Sequence, residues 1–219
     1  HDQNGQLERV VFGTGDDSSL YTYASLPGKL PKNSGGYYID KQLPKERATQ
    51  AALGWALGSY QFTRYRSNSK KDFADLVWPV NADHTSVKAT AEAVFLVRDL
   101  VNTPSNDLGP AELAEASRKL ARKFNNSSIK VITGKDLKKK NFPMIYAVGQ
   151  GSPREPRLID IQWGNEKHPQ ITLIGKGVCF DTGGLDLKPG SAMALMKKDM
   201  GGAAHVLGLA HMIMSTNLP

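Results

Sequence analysis

Between Gly175 and Gly202 the sequence gathers two lysines and two acids among glycines, as Gly-Lys176-Gly, Phe-Asp181-Thr-Gly-Gly, Leu-Lys188-Pro-Gly and Asp199-Met-Gly-Gly. Carboxylates are hard oxygen donors, and two of them from separate loops can share a pair of divalent cations. Asp181 and Asp199 are the candidate pair. Glycines flanking Lys176 and following Asp181 let the backbone approach a bound ion or substrate closely. Taken alone, these residue types leave two readings open, a metal site or surface ion pairs. Asp186, two residues before Lys188, would share its face on an extended strand and is either a rival ligand or an ordinary ion-pair partner.

Other chemistries find no footing. The sequence has no Gly-x-x-x-x-Gly-Lys-[Ser/Thr] phosphate loop, no third glycine after Gly149-Gln-Gly151 or Gly175-Lys-Gly177, and neither His-Glu-x-x-His nor Gly-x-Ser-x-Gly. His1, His84, His168, His205 and His211 are scattered, which suits structural or exposed roles. The single cysteine, Cys179, reads as a small buried hydrophobe. It excludes an internal disulfide framework and points to a reducing compartment, so the expected location is cytoplasmic.

The elements around this segment read as α/β. Leu7 to Phe12 is strand-like, and a Gly/Pro-rich stretch covers residues 26–36. From Pro44 a helix is predicted, because Ala48, Ala51, Ala52, Trp55 and Ala56 fall at three-and-four spacing. Ala74 to Val80 reads as a short strand, and polar Asn81 to His84 as the boundary between an N-terminal α/β domain (1–84) and a second domain (85–219). Thr85 to Val101 is predicted helical and largely buried, and Pro110 opens another helix, with Glu112 and Glu115 near its positive end and bases in its later turns. Apolar runs at Ile129–Thr133, Met144–Val148, Leu158–Trp163 and Ile171–Ile174 have the rhythm of a parallel sheet with crossovers. In such sheets, ligands collect in loops beyond the strand ends, where Lys176 and Asp181 fall. Residues 203–214 make a helix apolar nearly all round, and its burial is expected. The α/β alternation stops there in mid-pattern, which predicts a truncated catalytic layer.

The segment 175–210 resembles the signature of the leucine aminopeptidase (cytosol aminopeptidase) family, which runs through Gly-Lys-Gly, Phe-Asp-Ser-Gly-Gly, Leu-Lys-Pro and Ala-Asp-Met-Gly-Gly-Ala-Ala. The resemblance extends to Leu100–Asn106, Val148–Ser152 and Pro156–Leu158, while residues 1–84 resemble a shortened form of the family's N-terminal domain. It implies a small N-terminal α/β domain followed by a truncated mixed or parallel-sheet catalytic α/β/α domain. It also implies a metal-dependent aminopeptidase that releases N-terminal residues, leucine and other apolar ones preferred, with water activated by two divalent ions, Mn2+ or Zn2+.

By matched position, Lys176 is implied to be a neutral amine ligand, Asp181 a carboxylate bridging both metals and Asp199 a ligand to the metal that Lys176 holds. Metal binding drives the proton off such a lysine. Lys188 is implied to stay protonated and stabilise the oxyanion, and Met196 to line the pocket for the first side chain of a peptide substrate. Ala194 stands where the family commonly has Asp, and Thr182 where Ser is frequent; neither is an assigned ligand. The family's later Asn-Thr-Asp-Ala-Glu-Gly-Arg block, which supplies further ligands and an Arg that holds the catalytic base, is not in these 219 residues. The expectation is an intact enzyme assembled as a homo-oligomer, a hexamer, and a chain that alone turns over little substrate.

Composition fits a folded protein: 40% hydrophobic and 22% charged residues allow a real core, and no apolar run approaches a membrane span. The net charge of +7 is concentrated in residues 118–140, where nine bases face one acid, so the rest nets −1. The plain reading is a solvated helix face, and the alternative is a basic nucleic-acid-binding or scaffolding module.

Overall fold

Ala48, Ala51, Ala52 and Trp55 line one buried face of helix α2 (Lys45–Gly58), as their spacing predicts. This computed structural model describes residues 1, 3–15, 19–32, 36–66 and 71–218. They belong to two compact units, the first formed by residues 1–61 and 68–87 and the second by 62–67 and 88–219.

In the first unit, α1 (Leu20–Ala24) lies against α2 at backbone contact. A Cβ on Gly54 would meet the Leu20 carbonyl and one on Gly58 the Ala24 carbonyl, so the two glycines permit the approach. Trp55 donates its indole N–H to the Ala74 carbonyl at 2.9 Å, fixing the segment that follows α2. That segment, read as a strand over 74–80, forms only an isolated parallel bridge between Tyr37 and Leu76. Leu7 to Phe12 forms no strand either, since Val11 is 90% exposed and has no apolar surface to cover. Part of the Gly/Pro-rich stretch, residues 33–35, lies outside the described residues.

Helix α3 (His84–Asn102) matches the predicted helix and carries the chain into the second unit. There, α4 (Pro110–Ala121) begins as expected with proline in its first turn. Glu112 turns back to accept the Gly109 amide at 3.0 Å, and Arg118 and Lys119 occupy the negative end. Strand β1 (Ser127–Thr133) pairs antiparallel with β2 (Arg157–Trp163), from Ser127 opposite Trp163 to Thr133 opposite Arg157. Between them lie α5 (Asp136–Lys139) and α6 (Pro143–Gly149).

The mixed α/β class stands, but the strand reading needs correction at particular places. Met144–Val148 is helical, because Pro143 at the first helical position starts α6. Ile171–Ile174 has no regular secondary structure and no ladder partner among the described residues, and the one ladder here is antiparallel.

The short helix α7 (Gly190–Met193) and a single 3-10 turn (Met196–Lys198) lead into α8 (Gly201–Ser215). The core joins Leu100, Leu108, Leu113, Leu120, Met200, Ala204, Leu207 and Met214, with Ile159, Ile161 and Trp163 of β2 packed against it. Burial of α8 is one-sided: Ala204, Leu207, Gly208, His211 and Met214 are inside, whereas Leu209 is 42% exposed. Gly208 allows close packing on α3, since a Cβ there would stand 2.7 Å from Val97 Cγ2.

Candidate metal and peptide site

Lys176 reaches this site from an irregular segment that crosses the start of α8. The Ala203 amide donates to the Lys176 carbonyl at 2.9 Å, and a Cβ on Gly175 would fall 2.6 Å from the Gly202 carbonyl oxygen. The two glycines thus let the segment lie directly on the helix N-terminus, whose first turn offers free amides. From there the Lys176 ammonium straddles the Asp199 carboxylate, 3.0 Å from Oδ1 and 2.9 Å from Oδ2.

Asp199 follows the 3-10 turn and Met200, which is fully buried, follows Asp199. The Oδ2 of Asp199 is buried and has no hydrogen-bond partner beyond its 2.9 Å ion pair with Lys176. A buried carboxylate oxygen with a spare lone pair is a donor for a cation.

Asp181 sits in the turn built by Gly183 and Gly184, both with positive φ (81° and 114°). The Gly183 amide donates to Asp181 Oδ1 at 2.8 Å, and Lys188 Nζ lies 3.2 Å from Oδ2. Asp181 is held below its ordinary carboxylate value, first by the Gly183 amide, then by Lys188, with a smaller contribution from the charge of Lys176. Its charged form is therefore the stable one. Thr182, whose Oγ1 donates to the Gly184 carbonyl at 2.6 Å, tightens the same turn, and its carbonyl accepts the Leu187 and Lys188 amides.

Lys188 Nζ also lies 3.3 Å from Met196 Sδ, and Met196 is 9% exposed. The five residues singled out from sequence fall into two contact groups, Lys176 with Asp199 and Lys188 with Asp181 and Met196, linked by the charge of Lys176 acting on Asp181. Asp186 does not join them by the route considered. Its φ of 58° puts it in a left-handed turn, so the extended register that would set it beside Lys188 is not formed. Among the described residues no group of three or more His, Cys, Asp and Glu is placed to hold a metal, so the local donor set is two carboxylates and one amine.

Spacing alone does not reveal two long-range contacts in this unit. Lys197 donates to the Asn102 carbonyl at 3.1 Å across 95 residues of sequence. Arg154 donates to the Ser105 carbonyl at 2.6 Å, to the Asn106 carbonyl at 3.3 Å and to Glu112 at 2.6 Å, gathering the α3–α4 loop. Cys179 is pushed up to about 11 by partial burial, with the charge of Arg154 opposing and that of Glu112 adding to the shift. The one free thiol is thus a poor metal ligand or nucleophile at neutral pH.

Comparison with known proteins places the chain in a family. Residues 95–219 match the model of the cytosol aminopeptidase family catalytic domain, and residues 1–79 match that of the M17 aminopeptidase N-terminal domain. A probable cytosol aminopeptidase of Roseiflexus castenholzii is 42% identical over 195 residues, which cover 83% of this chain and 40% of that protein. The crystal structure of a cytosol aminopeptidase from Coxiella burnetii superposes with a TM-score of 0.83 at 44% identity, covering 93% of this chain and 44% of that one. The bottromycin maturation enzyme BotP, solved in complex with Mn, gives a TM-score of 0.66 at 34% identity, covering 80% of this chain and 37% of that one. The chain spans less than half the length of these relatives. With both family domains matched along it, the chain belongs to the cytosol aminopeptidase family.

Proposed function

We propose that this chain supplies the lysine and aspartate end of a metal-dependent aminopeptidase that releases N-terminal residues from peptides, leucine and other apolar ones preferred. The observation that carries the reading is the meeting of Lys176 with Asp199 and of Lys188 with Asp181, with Asp181 also within the field of Lys176. Lys176, Asp181 and Asp199 would hold two divalent cations, Mn2+ or Zn2+, with Asp181 shared between them. When bound, such cations polarise a carbonyl and acidify water at neutral pH.

The chain's own residues have distinct tasks. Asp181 is kept ionised by the Gly183 amide and so stands ready as a donor. Lys188, beside that carboxylate, would present N–H groups to the oxygen that gains charge as a peptide carbonyl is attacked. The pliable thioether of Met196, against the Lys188 ammonium, lines the place for the substrate's first side chain. The assembled enzyme is a cytosolic homohexamer in this reading. Relatives named cytosol aminopeptidases support the location, and no helix among the described residues is long and apolar enough to cross a membrane. The nucleic-acid alternative draws no support from residues 118–140, where Arg118 and Arg122 both reach Glu115 and Lys139 pairs with Asp136.

The 219 residues hold only part of the ligand set, since the Asn-Thr-Asp-Ala-Glu-Gly-Arg block is not among them. Calorimetric titration of the chain with Mn2+ is therefore expected to show weak binding that disappears in Asp181→Asn and Asp199→Asn. Leucine amide hydrolysis by the chain alone should be slight. Binding that ignores both substitutions would remove the site, and brisk Lys188-dependent turnover would show that no further block is needed.

A further inference from the structure

The turn that carries Met196 and Asp199 is too short to hold itself. It is a three-residue 3-10 segment, closed by the Lys198 amide on the Leu195 carbonyl and the Asp199 amide on the Met196 carbonyl, both at 3.0 Å. Such a turn has poor hydrogen-bond geometry and persists only where its surroundings fix it. Met196 and Met200 fix it from below, at 9% and 0% exposure. Lys197, between Met196 and Asp199, reaches instead to the last carbonyl of α3.

The contact is favourable from both ends. Asn102 closes α3, so its carbonyl lies at the end where the helix carries partial negative charge. An ammonium there satisfies the carbonyl and the dipole together.

We infer that Lys197 is a positioning residue: by gripping the C-terminus of α3 it holds the Met196–Asp199 turn so that Met196 stays against Lys188 and Asp199 against Lys176. It touches neither substrate nor metal in this role. The metal consequence rests on the function proposed above, whereas the grip itself stands on the contact with Asn102.

Lys197→Met keeps most of the side-chain stem and removes the donor, and Lys197→Arg returns a donor of similar reach. Amide hydrogen exchange and Mn2+ titration on wild type and both variants test the inference. Lys197→Met should speed exchange of residues 196–200 by roughly tenfold, with α4 and the β1–β2 ladder unchanged, and weaken Mn2+ binding by about tenfold, the scale seen when a group supporting a metal ligand is lost. Lys197→Arg should restore both. Unchanged exchange in Lys197→Met overturns the inference, as does an increase spread evenly over the unit or one that arginine does not reverse. Should wild type bind no Mn2+, the metal reading falls while local exchange still decides the grip.

Discussion

Gly202 faces the Lys176 backbone so closely that a Cβ there would stand 2.8 Å from the Lys176 nitrogen. The neighbour is main chain, held by the Ala203 amide, so it has nowhere to move. Gly202→Ala should therefore lower stability by about 1–3 kcal/mol, the range for overpacking a tight site. Urea unfolding would read this directly, and a midpoint equal to wild type would mean that the crossing is looser than described.

Lys188 offers the sharpest functional test. In an enzyme with the complete ligand set, Lys188→Met should lower kcat by about 100- to 1000-fold with little change in KM, because a donor aimed at developing charge acts mainly on the transition state. A loss confined to KM would assign Lys188 to ground-state binding instead.

Acid should loosen the α3–α4 loop through Glu112. Its carboxyl is held below the ordinary value of 4.5, chiefly by its own backbone amide and then by Gly109 and Arg154. A depressed folded-state value favours the ionised form, so this stabilisation is present above the ordinary value and is lost as pH falls through the lower one. Glu112→Gln should flatten the fall in urea midpoint between roughly pH 6 and 3. The effect should be modest, since Arg154 and Glu112 are both more than a third exposed, and exposed pairs contribute only about 0.2–1 kcal/mol.

His211 acts at higher pH. Its side chain is buried, with Nε2 3.2 Å from Glu92, Nδ1 3.2 Å from the Ser215 hydroxyl and the Phe124 ring edge-on. Burial pushes it below the ordinary value of 6.5, with Glu92 opposing and Lys123 adding to the shift. Because the fold prefers the neutral ring, stability is complete above the ordinary value and declines as pH falls through the depressed one. Glu92→Gln removes the opposing charge and should deepen that decline, which thermal melts from pH 8 to 5 would follow. An identical pH profile in Glu92→Gln would contradict the pairing.

Much of the helical frame could be read from residue spacing. Ala48 to Trp55 and Pro110 with Glu112 carry periodic and capping signals that survive folding unchanged. Short apolar runs were less legible, because Met144–Val148 fits strand and helix equally until Pro143 is counted as a helix start, and Ile171–Ile174 gives no hint of whether a partner strand exists. Within the site, Asp181 and Asp199 were visible as donors, but their lysine partners were assigned only through family resemblance. The grip of Lys197 on Asn102 spans 95 positions and leaves no periodic trace, so only coordinates reveal it.

The half-buried thiol of Cys179 has a practical consequence. With its ionisation pushed up to about 11, little of it is thiolate at pH 7, so maleimides and iodoacetamides should react with it slowly. A cysteine introduced on an exposed helix face would then take up a fluorophore or spin label selectively, with no need to delete the native one first.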